Sequence, residues 1–211
     1  MEASLVGSEM CIRDSLWTAR LIPGDQLELT TDRAQPLETG SKPMPQLGLA
    51  MALVRRGMDD VMRMACELCV DHVQPIQADR SVPQAEDRPE RWGVILQEAV
   101  EQSERLWRPD LQPCIQSEQW WMALAAEDLR LIAVTRDAGC PHLETWLHQT
   151  AGPAPRIWLA IGPEGGWSER EVAWALASGW IGVTLGDTIL RSSTAAVAGI
   201  SALCSWRTLS A

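Results

Sequence analysis

Two glycine-rich segments near the carboxyl end of the chain contain residue types that let a small molecule approach the backbone. Residues 161–167, IGPEGGW, follow one apolar run, and residues 185–187, LGD, follow another. Glycine lets a chain turn tightly and lets a ligand lie close to backbone donors and acceptors. These segments therefore suit a bound small molecule, although turn glycines without a ligand would have the same composition.

Charged side chains in these loops are the candidates for catalysis. Arg191 follows the second loop, and a fixed guanidinium can stabilise negative charge that develops on a reacting oxygen. An ordinary ion pair with a carboxylate is the alternative for Arg191. Glu164 could orient a ligand, act as a base, or stabilise the helix that follows it. Ser168 and Glu171, three residues apart, predict a capping box at the start of that helix.

Cysteine and histidine spacing raises the question of a metal site. Cys66, Cys69 and His72 are spaced C-x2-C-x2-H, and Cys140-x-His142 lies downstream. Zinc uses such ligands, but Cys66 and Cys69 also fit an amphipathic helix as small apolar residues. We predict no metal, because helical spacing differs from that of a zinc-binding turn. Without a secretory signal pattern, we expect reduced thiols and a cytoplasmic protein.

The elements that must position these residues follow a regular pattern after residue 46. Apolar strand candidates are LGLAMALV, VQPIQ, PCIQ, LRLIAVTRD, RIWLAIGPEGG and WIGVTL, and segments with helical spacing separate most of them. Strands alternating with helices predict an α/β fold, with a parallel sheet flanked by helices. Ligands of such sheets bind beyond the carboxyl ends of the strands. The loops VTRDAG, IGPEGGW and LGDTILRSSTAA are therefore expected to form the site.

Composition limits the classes of function. The 211 residues suffice for one well-packed domain plus a remnant of another. A formal net charge of −10 argues against strong nonspecific attraction to nucleic acid. No apolar run is long enough to span a bilayer, so we expect a soluble protein.

The first 46 residues are less regular. Residues 5–15, LVGSEMCIRDS, match one reading frame of a transposase adaptor used in DNA library preparation. We therefore expect residues 1–15 to be an artefact and exclude them from fold reasoning. Residues 16–46 contain a candidate strand, DQLELTT, and a linker, PLETGSKPMPQ.

Three ordered segments resemble the 16S ribosomal RNA uracil-N3 methyltransferase family, often called RsmE, of the knotted SPOUT class. They are IGPEGGWSEREV (161–172), VTLGDTILRSSTAA (183–196) and EAVEQSER (98–105), and the resemblance covers residues 47–211. Thr188 and Ser193 stand where the family has Arg and Glu, and residues 63–69 also depart from its pattern. These departures concern substrate contacts more than cofactor loops.

The resemblance implies a SPOUT-type parallel sheet with a C-terminal trefoil knot, whose three loops hold S-adenosylmethionine. It implies methyl transfer to N3 of a uridine in 16S ribosomal RNA of the 30S subunit, and a homodimer with the knot at its interface. Exposed Trp174, Trp180 or Trp206 would fit such an interface, with core packing as the alternative. Family members also carry an N-terminal PUA-like barrel that helps hold RNA. We expect residues 16–46 to be its remnant, residues 47–211 to be the methyltransferase domain, and the natural beginning of the protein to be missing.

The loops and the resemblance together assign three sets of site residues. Arg191 and Glu164 are the catalytic candidates. The cofactor-binding candidates are Thr135, Ile161, Gly162, Pro163, Glu164, Gly165, Gly166, Leu185, Gly186, Ile189, Leu190, Arg191, Thr194 and Ala195. The candidates for contact with substrate RNA are Arg80, Glu101, Gln102, Ser103 and Arg105. For this last set, a solvated surface is the alternative.

Other functions stay open. A ribose 2'-O-methyltransferase of the same class would usually carry Gly-Asn-Glu-Gly-x-Gly where this chain has Gly-Pro-Glu-Gly-Gly. A chain that binds S-adenosylmethionine and dimerises, yet fails to hold ribosomal RNA, would bind cofactor without methylating 30S subunits. An unrelated nucleotide-binding domain would prefer ATP or NAD.

Overall fold

The computed structural model of the protein shows a small antiparallel sheet followed by a larger parallel sheet with helices on both faces. The residues it describes are 8–12, 15–24, 26–32, 34–85, 87–135, 139–150 and 152–210. None of the helices in these ranges has the length and apolarity needed to cross a membrane.

The small sheet is antiparallel throughout. Its strands are β1 (Ser8–Ile12), β2 (Ser15–Ile22), β3 (Gln26–Leu29) and β4 (Glu38–Thr39). Strand β2 pairs with the other three. β3 confirms the predicted strand in DQLELTT. β1 lies in the segment attributed to an adaptor, and because pairing does not reveal where residues come from, that attribution and the domain boundaries stay predictions.

The large sheet confirms the α/β prediction, because all of its strand pairs are parallel. Its strands are β5 (Gln46–Ala52), β6 (His72–Gln77), β7 (Asp110–Leu111), β8 (Ile115–Gln116), β9 (Leu129–Ala133), β10 (Arg156–Ile161) and β11 (Ile181–Val183). Its helices are α1 (Met58–Glu67), α2 (Pro89–Gln102), α3 (Ser117–Ala123), α4 (Leu143–Thr150), α5 (Glu169–Ala177) and α6 (Ser192–Ser210).

The strand order places three late strands side by side. It runs β11-β9-β10-β5-β6-β7, and β8 also pairs with β6. The chain thus inserts β10 between β9 and β5, and then adds β11 outside β9. Because parallel strands end at the same edge of a sheet, the loops after β9, β10 and β11 meet there.

The two faces of the sheet bury different side chains because successive residues of a strand point to opposite sides. On one face, Leu159 of β10 lies in a core that also contains residues of α1, α2, α4 and α6. On the other face, Trp158 lies in a core with residues of α3 and α5. This second core contains five tryptophans, in a chain that has 11 Trp and no Phe or Tyr.

Glycine makes room at two tight contacts. A Cβ on Gly48 would lie 2.3 Å from the ring of Trp158, its neighbour on the adjacent strand. A Cβ on Gly199 of α6 would lie 2.3 Å from a methyl carbon of Leu159. These glycines let a tryptophan cover β5 and let α6 lie directly on β10.

A buried ionic cluster anchors the amino edge of the sheet. Asp71, which precedes β6, accepts a hydrogen bond from Arg207 of α6 at 2.7 Å and lies 3.6 Å from Arg105. Arg105 donates to the carbonyls of Cys66 and Val70 at 2.7 and 2.9 Å. Asp71 also accepts from the backbone N–H of the second residue of β5, at 2.9 Å. The cluster therefore joins the last helix to the first strand of this sheet.

Candidate functional site

A cavity of about 540 Å³ opens at the carboxyl ends of β9, β10 and β11. The three loops predicted to form the site do line it, although residues 136–138 of the first loop lie outside the described residues. Eleven cofactor-binding candidates line this cavity: Thr135, Ile161, Gly162, Pro163, Gly165, Gly166, Leu185, Gly186, Ile189, Leu190 and Ala195. We call it the first cavity.

The glycines of these loops differ in what surrounds them. Gly166 and Gly186 have φ angles of 68° and 139°, and a Cβ on either would meet no atom within 4 Å. Positive φ is strained for other residues, so glycine is required there by conformation and leaves the backbone open to a ligand. Gly162 is different, because its added Cβ would lie 3.2 Å from the backbone nitrogen of Trp167. It serves close packing within the loop.

A buried carboxylate holds the glycine loop in place. The predicted capping box is present: Ser168 Oγ accepts from the N–H of Glu171 at 3.1 Å, and Glu171 accepts from the N–H of Ser168 at 2.8 Å. Glu171 is 1% exposed and also accepts from the N–H of Asp79 at 3.0 Å and from Ser117 Oγ at 2.7 Å. One side chain thus joins the loops after β6 and β10 to α3.

The loop after β6 is bound to the glycine loop by two further side chains. Arg80 donates to the carbonyls of Gly165 and Trp167 at 3.1 and 3.2 Å. Asp79 accepts from Ser168 Oγ at 2.6 Å and from Arg170 at 2.7 Å, and these bonds lower the pKa of its carboxyl. Arg80, predicted to contact RNA, therefore holds the loop, while it also lines the cavity.

A second cavity of about 840 Å³ adjoins the first and shares Arg80, Thr135, Pro163, Gly165, Gly166, Ile189, Leu190 and Ser192 with it. Both catalytic candidates, Glu164 and Arg191, line this second cavity. Arg55 and Arg56, from the loop between β5 and α1, line it as well. Glu164 Oε1 accepts from the backbone N–H of Arg55 at 2.9 Å, which gives Glu164 a positioning role.

Four RNA-contact candidates and one cofactor candidate line neither cavity. α2 begins after the carboxyl end of β6, so Glu101, Gln102, Ser103 and Arg105 lie at or beyond its other end, near the amino edge of the sheet. Ser103 Oγ donates to Ala99 O within the helix at 2.6 Å, and the Arg105 side chain is 10% exposed in the ionic cluster. Contact of these four residues with RNA stays a prediction, and it would lie away from both cavities. Thr194 lies in the first turn of α6, outside both linings.

Several lining residues were not named among the site candidates. Trp167, Thr184 and Asp187 line the first cavity, and Arg55 and Arg56 line the second. The same rule that singled out the late loops would have found the arginine pair, since it directly follows the apolar run of β5. Trp167 and Asp187 lie in loops that were expected to form the site, although neither residue was named as a candidate.

The cysteines and exposed tryptophans differ in burial. Cys66 is fully buried in α1, and burial raises the pKa of its thiol. Within the described ranges, no three or more His, Cys, Asp or Glu side chains form a group that could hold a metal ion. Trp180 is buried and donates to Trp121 O at 3.3 Å, so it does not belong to an exposed surface. Trp174 is 37% exposed, and Trp206 is partly buried.

The chain is similar to one protein family and to several solved structures. The profile of the RNA methyltransferase domain family matches residues 41–204. Ribosomal RNA small subunit methyltransferase E of Synechocystis sp. is 38% identical over 198 residues, a match that covers 89% of this chain and 63% of that protein. The chain thus spans less than two thirds of that relative. The protein of the same name from Aquifex aeolicus is 28% identical, and the match covers 85% of this chain and 76% of that protein.

Two crystal structures are similar to the whole arrangement. A ribosomal RNA small subunit methyltransferase E from Neisseria gonorrhoeae, bound to S-adenosyl methionine, has a TM-score of 0.75 and 29% identity, covering 92% of this chain and 79% of that one. A protein of Porphyromonas gingivalis has a TM-score of 0.83 at 21% identity, covering 98% and 88%, and shows the same fold. The chain therefore belongs to the RNA methyltransferase domain family, and the relatives that it matches there are ribosomal RNA small subunit methyltransferase E proteins.

Proposed function

We propose that the protein transfers a methyl group from S-adenosylmethionine to ribosomal RNA of the small subunit. The observation that carries this proposal is the first cavity, because glycine loops from three adjacent strand ends line it in a chain of this family. The Neisseria gonorrhoeae relative, whose structure contains S-adenosyl methionine, supports the choice of cofactor.

The residues of the first cavity fit this cofactor. Its volume of about 540 Å³ lies within the range of about 300–1,000 Å³ for small-molecule sites. Gly166 and Gly186 leave backbone exposed to a ligand, and Leu185 and Leu190 add apolar contact surface. S-adenosylmethionine, when bound, supplies an electrophilic methyl group. The chain's own residues would bind and orient it between the loops after β9, β10 and β11.

The target that we propose is N3 of a uridine in 16S ribosomal RNA. Methylation there requires that the ring nitrogen release its proton to solvent water, so negative charge develops on the neighbouring carbonyl oxygens before the methyl group is accepted. Arg191 lines the second cavity beside residues shared with the first, and its guanidinium would stabilise that charge. Glu164 would hold the Arg55 loop, through the 2.9 Å bond to its backbone, rather than act as the base.

Three structural features belong to the same proposal. The N–H of Thr184 donates to Pro141 O, and its carbonyl accepts from the N–H of Leu143, both at 2.9 Å. The segment before α6 therefore runs against the loop after β9, and this supports a trefoil knot. A PUA-like RNA-binding domain is supported by the separate antiparallel sheet. A homodimer is supported by the partly exposed Trp174.

Cofactor binding and methylation are tested in sequence. Tryptophan fluorescence should report a cooperative melt. S-adenosylmethionine should raise its Tm, because a ligand that binds the native state stabilises that state, whereas ATP and NAD should leave the Tm unchanged. Unmethylated 30S subunits and labelled cofactor should then give N3-methyluridine on nucleoside analysis. The Arg191→Ala variant should retain binding and lose most of the activity. A 2'-O-methylated product would favour the ribose alternative, and binding without any product would leave a cofactor-binding dimer.

A further inference from the structure

The second cavity carries more positive charge than a bound cofactor requires. Four arginines, Arg55, Arg56, Arg80 and Arg191, line it together with a single carboxylate, that of Glu164. The whole chain has a formal net charge of −10. A concentration of guanidinium groups in one cavity of an acidic protein indicates that this cavity receives an anion.

Three of these guanidinium groups have no partner among the residues that the structure describes. Within the part of the chain that the structure describes, the side chains of Arg55, Arg56 and Arg191 make no hydrogen bond or ion pair. Arginines elsewhere behave differently: Arg63 and Arg91 pair with carboxylates at 2.9 and 2.6 Å. Arg55, Arg56 and Arg191 are therefore free to bind a ligand, whereas Arg80 holds the glycine loop.

The loop that carries Arg55 and Arg56 is held at its base. Val54 is 5% exposed, and the Arg55 N–H donates to Glu164 at 2.9 Å. Gly57 has a φ of 91°, and its added Cβ would lie 3.6 Å from Ser193 at the start of α6. The backbone of this loop is thus bonded to the glycine loop and lies close to α6, while Arg55 and Arg56 remain exposed. A fixed base lowers the entropy lost on binding.

We propose that Arg55 and Arg56 bind phosphodiester groups of the RNA strand and so position the substrate beside the methyl-donor cavity. The guanidinium fork matches two oxygens of a phosphate. The single carboxylate of S-adenosylmethionine would leave most of these arginines unpaired, whereas a nucleotide flanked by phosphates on both sides supplies several anionic groups. This inference rests on the proposed function, and it adds the subsite that holds the RNA backbone.

The test is binding of a short fluorescein-labelled oligouridylate to the full chain, measured by fluorescence anisotropy over a series of KCl concentrations. Arg55→Ala/Arg56→Ala should bind about tenfold more weakly, and the slope of log Kd against log[KCl] should fall by about 1.4, or about 0.7 for each lost contact with a single strand. Arg55→Lys/Arg56→Lys should restore most of the slope. Arg63→Ala/Arg91→Ala removes the same charge outside the cavity and should leave both quantities near those of the unchanged protein.

S-adenosylmethionine binding, measured on the same variants by calorimetry, separates this proposal from the proposed function. Unchanged cofactor affinity with weakened oligouridylate binding supports the phosphate subsite. Weakened cofactor binding in Arg55→Ala/Arg56→Ala would show that the arginines hold the cofactor carboxylate, and would overturn the subsite. Equal loss in the Arg63→Ala/Arg91→Ala control, or no oligouridylate binding by the unchanged protein, would also overturn it. If the unchanged protein bound the oligouridylate but not S-adenosylmethionine, the proposed function would fail and the phosphate subsite would stand.

Discussion

Replacing Glu171 with glutamine should destabilise the protein by much more than its small change in size suggests. One carboxylate oxygen accepts from the N–H of Asp79 and from Ser117 Oγ, and the other accepts from the N–H of Ser168. An amide has only one accepting oxygen, so either orientation of the new side chain leaves a backbone N–H facing an NH2 group. A buried donor without a partner costs about 1–3 kcal/mol. For a domain of this size, that corresponds to a fall in Tm of roughly 2–12 °C.

The matched control is Glu169→Gln in the same first turn of α5. Glu169 is exposed, and its loss removes only a helix-dipole interaction of about 0.3–1 kcal/mol. Melts followed by tryptophan fluorescence, with and without S-adenosylmethionine, compare the two variants. Because Glu171 joins the loops around the first cavity, its variant should also bind the cofactor more weakly than the control does. Equal Tm values for the two variants would refute the role assigned to Glu171.

Three further changes test other parts of the structure. Gly186→Ala places a side chain at a φ of 139°, so it should cost about 1–3 kcal/mol and weaken S-adenosylmethionine binding in calorimetry; unchanged values would show that the loop tolerates a Cβ. Burial raises the pKa of the Cys114 thiol from 9.0 to about 11. As the pH rises, this thiol therefore loses its proton in the unfolded state before it does so in the folded state, and the free energy of unfolding should fall between pH 9 and 11. Because this thiol is only partly buried and solvent screens it, the decline should be about 1–2 kcal/mol. Urea unfolding should show that Cys114→Ala flattens this decline, and an equal decline in the variant would exclude Cys114 as its source. Asp71→Asn leaves Arg105 and Arg207 without their buried counter-ion and should cost about 3–5 kcal/mol in urea unfolding, whereas a loss below about 1 kcal/mol would mean that water replaces the pair.

Local patterns predicted the order of elements around the large sheet, except for the two-residue strand β7. Each apolar run of several residues became a strand, and Ser168 with Glu171 formed the predicted capping box. Such signals depend on side-chain periodicity and on contacts a few residues apart, which are set by the neighbouring sequence. The rule that ligands bind at the carboxyl ends of parallel strands then located the first cavity without knowledge of the strand order.

For one set of candidates, the family resemblance and the direction of a helix point to different places. The segment 98–105 resembles a family pattern, and this resemblance suggested an RNA contact for Arg105. A helix that starts after the carboxyl end of β6 must, however, end near the amino edge, far from the predicted site. The direction of α2 was available from the order of elements, and it would have argued against this assignment. Conversely, Arg55 and Arg56 follow β5 at the correct edge, although no motif marked them.

The sequence by itself determined most of the strands and helices and which loops were expected to form the site, but it did not reveal β7 or the need for glycine at positions 48 and 199. Only the tertiary structure decided that β10 lies between β9 and β5, that β11 lies outside β9, and that Arg80 binds the glycine loop instead of standing free. These features depend on which distant segments pair. Which segments pair depends on how their buried faces fit together. Gly48, for example, makes room for Trp158 on a strand far away in the sequence. Such a fit exists only in the packed chain.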